Sequence, residues 1–181
     1  EWFKNKLEKF YTKSGFELVG IEIPLNAKIK EGVSFIGFVD VVMRDLSDNS
    51  IIIIDLKTST MGWNKYQKAD KYKNAQIVIY KKYYSELFNI PLDKIKVEYQ
   101  IMRRKLYEDA PFPIPYISRH VPANGKPTVN KVYTEFMNFV NEVFDDEGKY
   151  RDLPYPKVPG DRQKNCRFCE FKTRGICDGK A

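Results

Sequence analysis

Apolar and polar positions along this chain fall into stretches of helical and of alternating period. Trp2, Phe3, Leu7, Phe10 and Tyr11 recur at helical spacing, so residues 2–13 predict a helix that Gly15 would stop. From Phe16 to Ala27 the period becomes two. Val19, Ile21, Ile23 and Leu25 make the apolar face of a first strand, with Leu18, Gly20, Glu22 and Pro24 opposite. Val33–Arg44 and Ile51–Lys57 predict two more strands, joined by the polar turn Ser47-Asp48-Asn49-Ser50. The run Ile51-Ile52-Ile53-Ile54 is apolar on both faces, as in a central strand covered on both sides.

Thr58–Gln67, with Gly62 and Trp63, reads as a loop into the longest predicted helix, Ala69–Phe88. That helix is apolar at Tyr72, Ala75, Ile79, Tyr83 and Leu87, and Asn89-Ile90-Pro91 breaks it. Ile95, Val97, Tyr99 and Ile101 alternate in a fourth strand, Ile95–Met102. Residues 110–127 hold five prolines and predict an ordered loop without regular structure, partly a hairpin around Asn124-Gly125. Val129–Phe144 predicts a last helix, closed by Asp145-Asp146-Glu147-Gly148. The order helix, three strands, helix, strand implies an α/β fold with the long helix crossing over the sheet.

Two acids sit where a strand disfavours them. Asp40 lies between Val39 and Val41, and Asp55 follows the four isoleucines. An unpaired buried carboxylate costs several kcal/mol, so a compensating charge is expected. A divalent cation between the two acids would supply it. Lys57 is two residues beyond Asp55 and shares its strand face. A metal-binding oxygen beside an ammonium suits phosphodiester cleavage, with the ion polarising the phosphate and the ammonium stabilising developing charge. The other reading is a surface hairpin whose acids point at solvent, since D-x-K alone is common.

Charge agrees with a polyanionic partner. Lys and Arg number 31 against 24 acids, a net charge of +7 and a pI near 9.1. Lys65, Lys68, Lys71, Lys73, Lys81 and Lys82 surround the long helix, and Arg103-Arg104-Lys105 follows the fourth strand as a phosphate contact or a solvated strand end. No apolar run has the length to cross a membrane. The opening residues show no signal-peptide pattern, and three crowded cysteines do not resemble a secreted disulfide framework, so a cytoplasmic, intracellular setting is expected. Cys166-Arg167-Phe168-Cys169 followed by Cys177 has metal-ligand spacing. Zinc with a fourth ligand such as His120, or three free thiols, both fit the residues.

Gly37-x-x-Asp40, Asp55-x-Lys57 and Gln76-x-x-x-Tyr80, in this order, resemble the RecB-like branch of the PD-(D/E)xK nuclease superfamily. The resemblance covers about residues 1–105. It implies a restriction-endonuclease-like core, an α-β-β-β-α-β mixed sheet flanked by helices. The expected organisation is a nuclease domain over residues 1–148 and a basic cysteine-containing tail over 149–181 packed on the same domain. It also implies Mg²⁺ or Mn²⁺ held by Asp40, Asp55 and the backbone carbonyl of Leu56, with Lys57 orienting water or stabilising charge. Gln76 and Tyr80 would position the substrate, and Glu8 is a candidate extra acid from the first helix. The tail resembles the cysteine triplet of AddB and of CRISPR-associated RecB-like exonucleases, which implies a [4Fe-4S] cluster whose fourth cysteine is not in this chain. The expected activity is a DNA exonuclease acting on single strands or DNA ends in repair, recombination or phage or CRISPR DNA processing, with a helicase or recombination protein as partner. A non-catalytic DNA-binding module and an endonuclease are the alternatives.

Overall fold

The computed structural model describes residues 15–105, 114–153 and 156–180. The expected N-terminal helix, and Glu8 with it, lies outside the described residues. The chain divides into two compact units, Glu1–Lys149 and Tyr150–Ala181.

The first unit is built on a five-stranded sheet, β1 (Phe16–Lys30), β2 (Val33–Asp45), β3 (Ser50–Ser59), β4 (Ile95–Arg103) and β5 (Ile117–His120), in the spatial order β1-β2-β3-β4-β5. β1, β2 and β3 are successive antiparallel neighbours, β4 runs parallel to β3, and β5 is antiparallel to β4. Parallel neighbours need a crossover. Here it contains two helices, α1 (Lys65–Lys68) and α2 (Lys71–Leu87). A further helix, α3 (Lys126–Val143), packs on α2. The α/β expectation therefore holds, with a mixed sheet flanked by helices.

Burial explains the arrangement. Ile51 and Ile53 of β3 face Ile95, Val97, Tyr99 and Ile101 of β4 and the α2 residues Ile77, Ile79, Tyr83 and Tyr84 in one core. Each such side chain contributes about 1.5–3 kcal/mol when fully buried. Phe35 of β2 stacks on Tyr83 at 4.3 Å between ring centroids, and Phe136 of α3 meets both rings edge-on at 5.9 and 6.3 Å. The β1–β2 hairpin tip is tied to the end of α3, where Lys30 Nζ donates to the Phe144 carbonyl at 2.8 Å. Gly148 has φ +78°, and a Cβ there would overlap the Glu31 carbonyl oxygen.

Three expectations need correction. The stretch read as an irregular loop over 110–127 contains β5, a short edge strand held by backbone pairing to Tyr99–Met102. Asn124-Gly125 forms no hairpin, since Gly125 is the N-cap of α3 and Pro127 sits in its first turn, where a missing N–H costs nothing. The region read as loop to Gln67 includes α1. Asn64 accepts from Tyr66 N and Gln67 N, while the Gln67 side chain accepts from Asn64 N, a reciprocal capping box. Asp70 then caps Tyr72 N and Lys73 N, so α2 starts at Lys71.

The described residues of the second unit, Tyr150–Ala181, form a 3₁₀ turn at Asp161–Cys166 and a short helix, α4 (Glu170–Thr173). Among its described residues no hydrophobic side chain is buried, and Phe168, Phe171 and Ile176 are exposed.

Candidate active site

The two acids meet where the sheet opens. Pairing between β2 and β3 ends at Val41↔Ile54, whereas β1–β2 pairing continues to Val33 and β3–β4 pairing continues to Ser59↔Arg103. Beyond Val41 the β1–β2 ribbon leaves β3, and Asp40 and Asp55 are the first residues past the last pair. Across this gap Asp40 Oδ2 accepts from the Leu56 backbone N–H at 2.7 Å. The carboxylate thus takes the place of a backbone acceptor that the departing strand no longer offers. Opposite this point Glu22 of β1 is exposed and in a left-handed conformation, φ 53°.

Asp55 is 3% exposed. Its Oδ1 lies 2.6 Å from Lys57 Nζ, an ion pair, but has no partner in good hydrogen-bond geometry. Burial pushes the Asp55 carboxyl above its ordinary pKa, and the nearby Asp40 charge adds to this, against the opposing pull of Lys57. Lys57 Nζ also lies over the Tyr99 ring, 5.9 Å from its centroid. Tyr99 is fully buried and donates to the Lys73 carbonyl. Burial first and the Asp55 charge second push its hydroxyl pKa up, so it stays neutral.

Gly37 links the motifs. A Cβ at this position would lie 2.9 Å from Tyr80 Cε1 and 3.3 Å from the Phe35 ring, so only glycine lets the Tyr80 ring rest against β2. Gln76 Nε2 donates to Tyr80 Oη at 3.1 Å, one turn along α2. With its oxygen accepting that bond, the phenol proton is left to donate outward. Gln76 and Tyr80 also line a pocket of about 530 Å³ with Tyr72, Phe35 and Phe136.

Other residues near this centre carry weaker sequence signals. Trp63 packs on Tyr99 at 5.0 Å and on His120 at 6.0 Å, and His120 stacks on Tyr99 at 6.1 Å. His120 Nε2 lies 3.2 Å from Asn74 Oδ1, and burial and then the Lys68 charge lower its pKa. A tryptophan just after D-x-K was a visible signal, although the reading of this stretch as a loop gave it no partner. Two of the lysines grouped around the long helix are otherwise engaged. Lys81 is 4% exposed and donates to Asn124 O and Oδ1 at 2.9 and 2.8 Å. Lys82 pairs with Glu86 at 2.7 Å.

Cys166, Cys169 and Cys177 form no disulfide; Cys169 is the N-cap of α4, and the Gly179 N–H donates to Cys177 Sγ at 3.4 Å. Among the described residues no three His, Cys, Asp or Glu side chains are gathered into a ligand set. No helix among them is long and apolar enough to cross a membrane.

The family model of the PD-(D/E)XK nuclease superfamily matches residues 2–178, and the chain belongs to that superfamily. Its mixed sheet flanked by helices is consistent with the restriction-endonuclease-like fold. Among solved structures, one titled "Crystal structure of SSO0001" aligns with a TM-score of 0.45 at 17% identity, over 99% of this chain and 69% of that one. No curated protein matches the chain. Membership of the superfamily supports a nuclease, which would act on DNA.

Proposed function

We propose that the protein is a metal-dependent DNA exonuclease of the RecB-like type, acting on DNA ends or single strands in repair, recombination or the processing of foreign DNA. The observation that carries this reading is the pair Asp40 and Asp55 at the parting of β2 and β3, with Lys57 beside Asp55 and the Gln76–Tyr80 pair on the neighbouring helix.

Mg²⁺ or Mn²⁺ fits the donors present. Both acids offer hard oxygens, and the buried Asp55 Oδ1 has no hydrogen-bond partner. Two carboxylates are enough for an ion that completes its shell with water, substrate phosphate and a carbonyl such as that of Leu56. A cation there would polarise the phosphate and make bound water more acidic. The chain's own groups do the rest. Lys57 orients the attacking water and stabilises charge building on the phosphate, while Tyr80, fixed by Gln76, donates to a phosphate oxygen. The water oxygen forms the new P–O bond, an ester P–O bond breaks, and the departing oxygen takes up a proton.

End-labelled linear DNA beside covalently closed circular DNA separates the alternatives. Loss of the linear form alone is the expected result. Cutting of the closed circle would make the protein an endonuclease, and binding without any cutting would make it a DNA-binding module.

The tail is proposed to close around a structural metal through Cys166, Cys169 and Cys177, as a [4Fe-4S] cluster or zinc with its fourth ligand from elsewhere. A unit this short with no buried hydrophobic side chain among its described residues needs a staple. Thiolates suit soft metals, and the Gly179 N–H on Cys177 Sγ is the kind of contact that steadies such a ligand. Anaerobically purified protein is expected to contain iron or zinc and to lose it on Cys169→Ser. Metal-free protein with an unchanged tail would refute the assignment.

A further inference from the structure

The segment 58–73 runs on directly from Lys57 and alternates cations with aromatic rings. Its only acid, Asp70, is taken up in capping α2. Lys73 Nζ lies 5.5 Å over the Trp63 ring, Lys65 Nζ 5.1 Å over Tyr66, and Lys71 Nζ 4.9 Å over Tyr72. Tyr66 is 74% exposed and Tyr72 77%. A polar cleft of about 670 Å³ opens in the same segment, walled by Thr58–Asn64, Gln67, Lys73 and Arg104. Behind its Gly62, the Arg103 Nε is buried without a hydrogen-bond partner. The cleft begins at Thr58, the residue after Lys57, and its Trp63 packs on Tyr99, over whose ring Lys57 Nζ lies.

We infer that this segment, with Arg104, is the track on which one unpaired DNA strand is held as it enters the acid pair. The inference deepens the nuclease reading and rests on it for the direction of the strand. A nucleic-acid strand repeats a phosphate and a base; the segment repeats an ammonium and a ring. Exposed tyrosines offer stacking faces to any base. They reach only bases that are not already stacked within a duplex, so the track selects single strands. The lysines neutralise phosphates without reading sequence.

The test is fluorescence anisotropy of a short labelled oligo(dT) and of a duplex of equal length, in EDTA so that nothing is cut. Wild type should bind the single strand more tightly. Tyr66→Ala and Tyr72→Ala should each weaken it about 5- to 150-fold. Lys65→Ala and Lys71→Ala should each lower the salt slope by about 0.7. Lys28→Ala removes a charge from the distant β1–β2 hairpin and should leave affinity unchanged.

Unchanged affinity in the tyrosine variants, equal binding of the duplex, an equal loss in Lys28→Ala, or tighter binding of oligo(U) would each overturn the assignment. Cleavage of the same oligo(dT) by wild type in Mg²⁺ keeps the two readings apart. Cleavage with tyrosine-independent binding sinks the track and leaves the nuclease. Tyrosine-dependent binding without cleavage sinks the nuclease and leaves the track.

Discussion

Asp55→Asn is expected to abolish cleavage while making the fold more stable. The wild-type carboxylate is 3% exposed, with its Oδ1 lacking a hydrogen-bond partner. Burial raises its pKa, which means that ionising it at neutral pH costs stability. The native state binds this proton more tightly than the unfolded chain does. Between the ordinary aspartate pKa and the raised folded value, wild-type stability therefore falls as pH rises. The amide has almost the same shape and no charge to desolvate, so Asp55→Asn should gain on the order of 1 kcal/mol at neutral pH and lose that part of the pH dependence. Cleavage should drop by at least about 10²–10³-fold, as for removal of one essential polar group in other active sites. Urea unfolding of both proteins in EDTA from pH 4 to 8, with a cleavage assay alongside, checks both parts. A less stable variant with the same pH slope would show that Asp55 is a structural acid.

Lys57→Met is expected to have the second-largest effect, again about 10²-fold or more on cleavage. It also carries a signature that simple loss of structure lacks. Lys57 is the group that pulls the Asp55 pKa down, through the ammonium that lies against its carboxylate. Without it the carboxyl rises further, so the acid limb of the pH–rate profile should move to higher pH. Lys57→Arg should restore that limb, because the cation is back, more fully than it restores rate, since a planar guanidinium does not reproduce a compact ammonium beside the Tyr99 ring. An unmoved pH profile in Lys57→Met would separate Lys57 from Asp55.

Much of this centre was legible because strand parity is a strict code. The isoleucines at 51–54 predicted a central strand, and the parity of Asp55 and Lys57 put both on one face, where they form an ion pair. What parity did not carry is where β2 leaves β3. The bond from the Leu56 N–H to Asp40 exists because the ladder ends there, and ladder length depends on backbone twist more than on residue type. β5 was missed for a related reason, since Ile117-Ser118-Arg119-His120 is short and held by backbone pairing that leaves no side-chain pattern. Lys81 was read with the basic surface, yet its ammonium is buried against Asn124, because a lysine's fate depends on what the distant chain brings to it. Asn64 and Gln67, by contrast, were a readable capping box that the nearby glycine obscured.

The most direct measurement of the central claim is hydrolysis of end-labelled linear DNA by wild type and Asp55→Asn, each in Mg²⁺ and in EDTA. The acid-pair account predicts shortening of the labelled strand only for wild type in Mg²⁺. Equal cleavage by Asp55→Asn, or by wild type in EDTA, would place the chemistry away from Asp40 and Asp55 and contradict it.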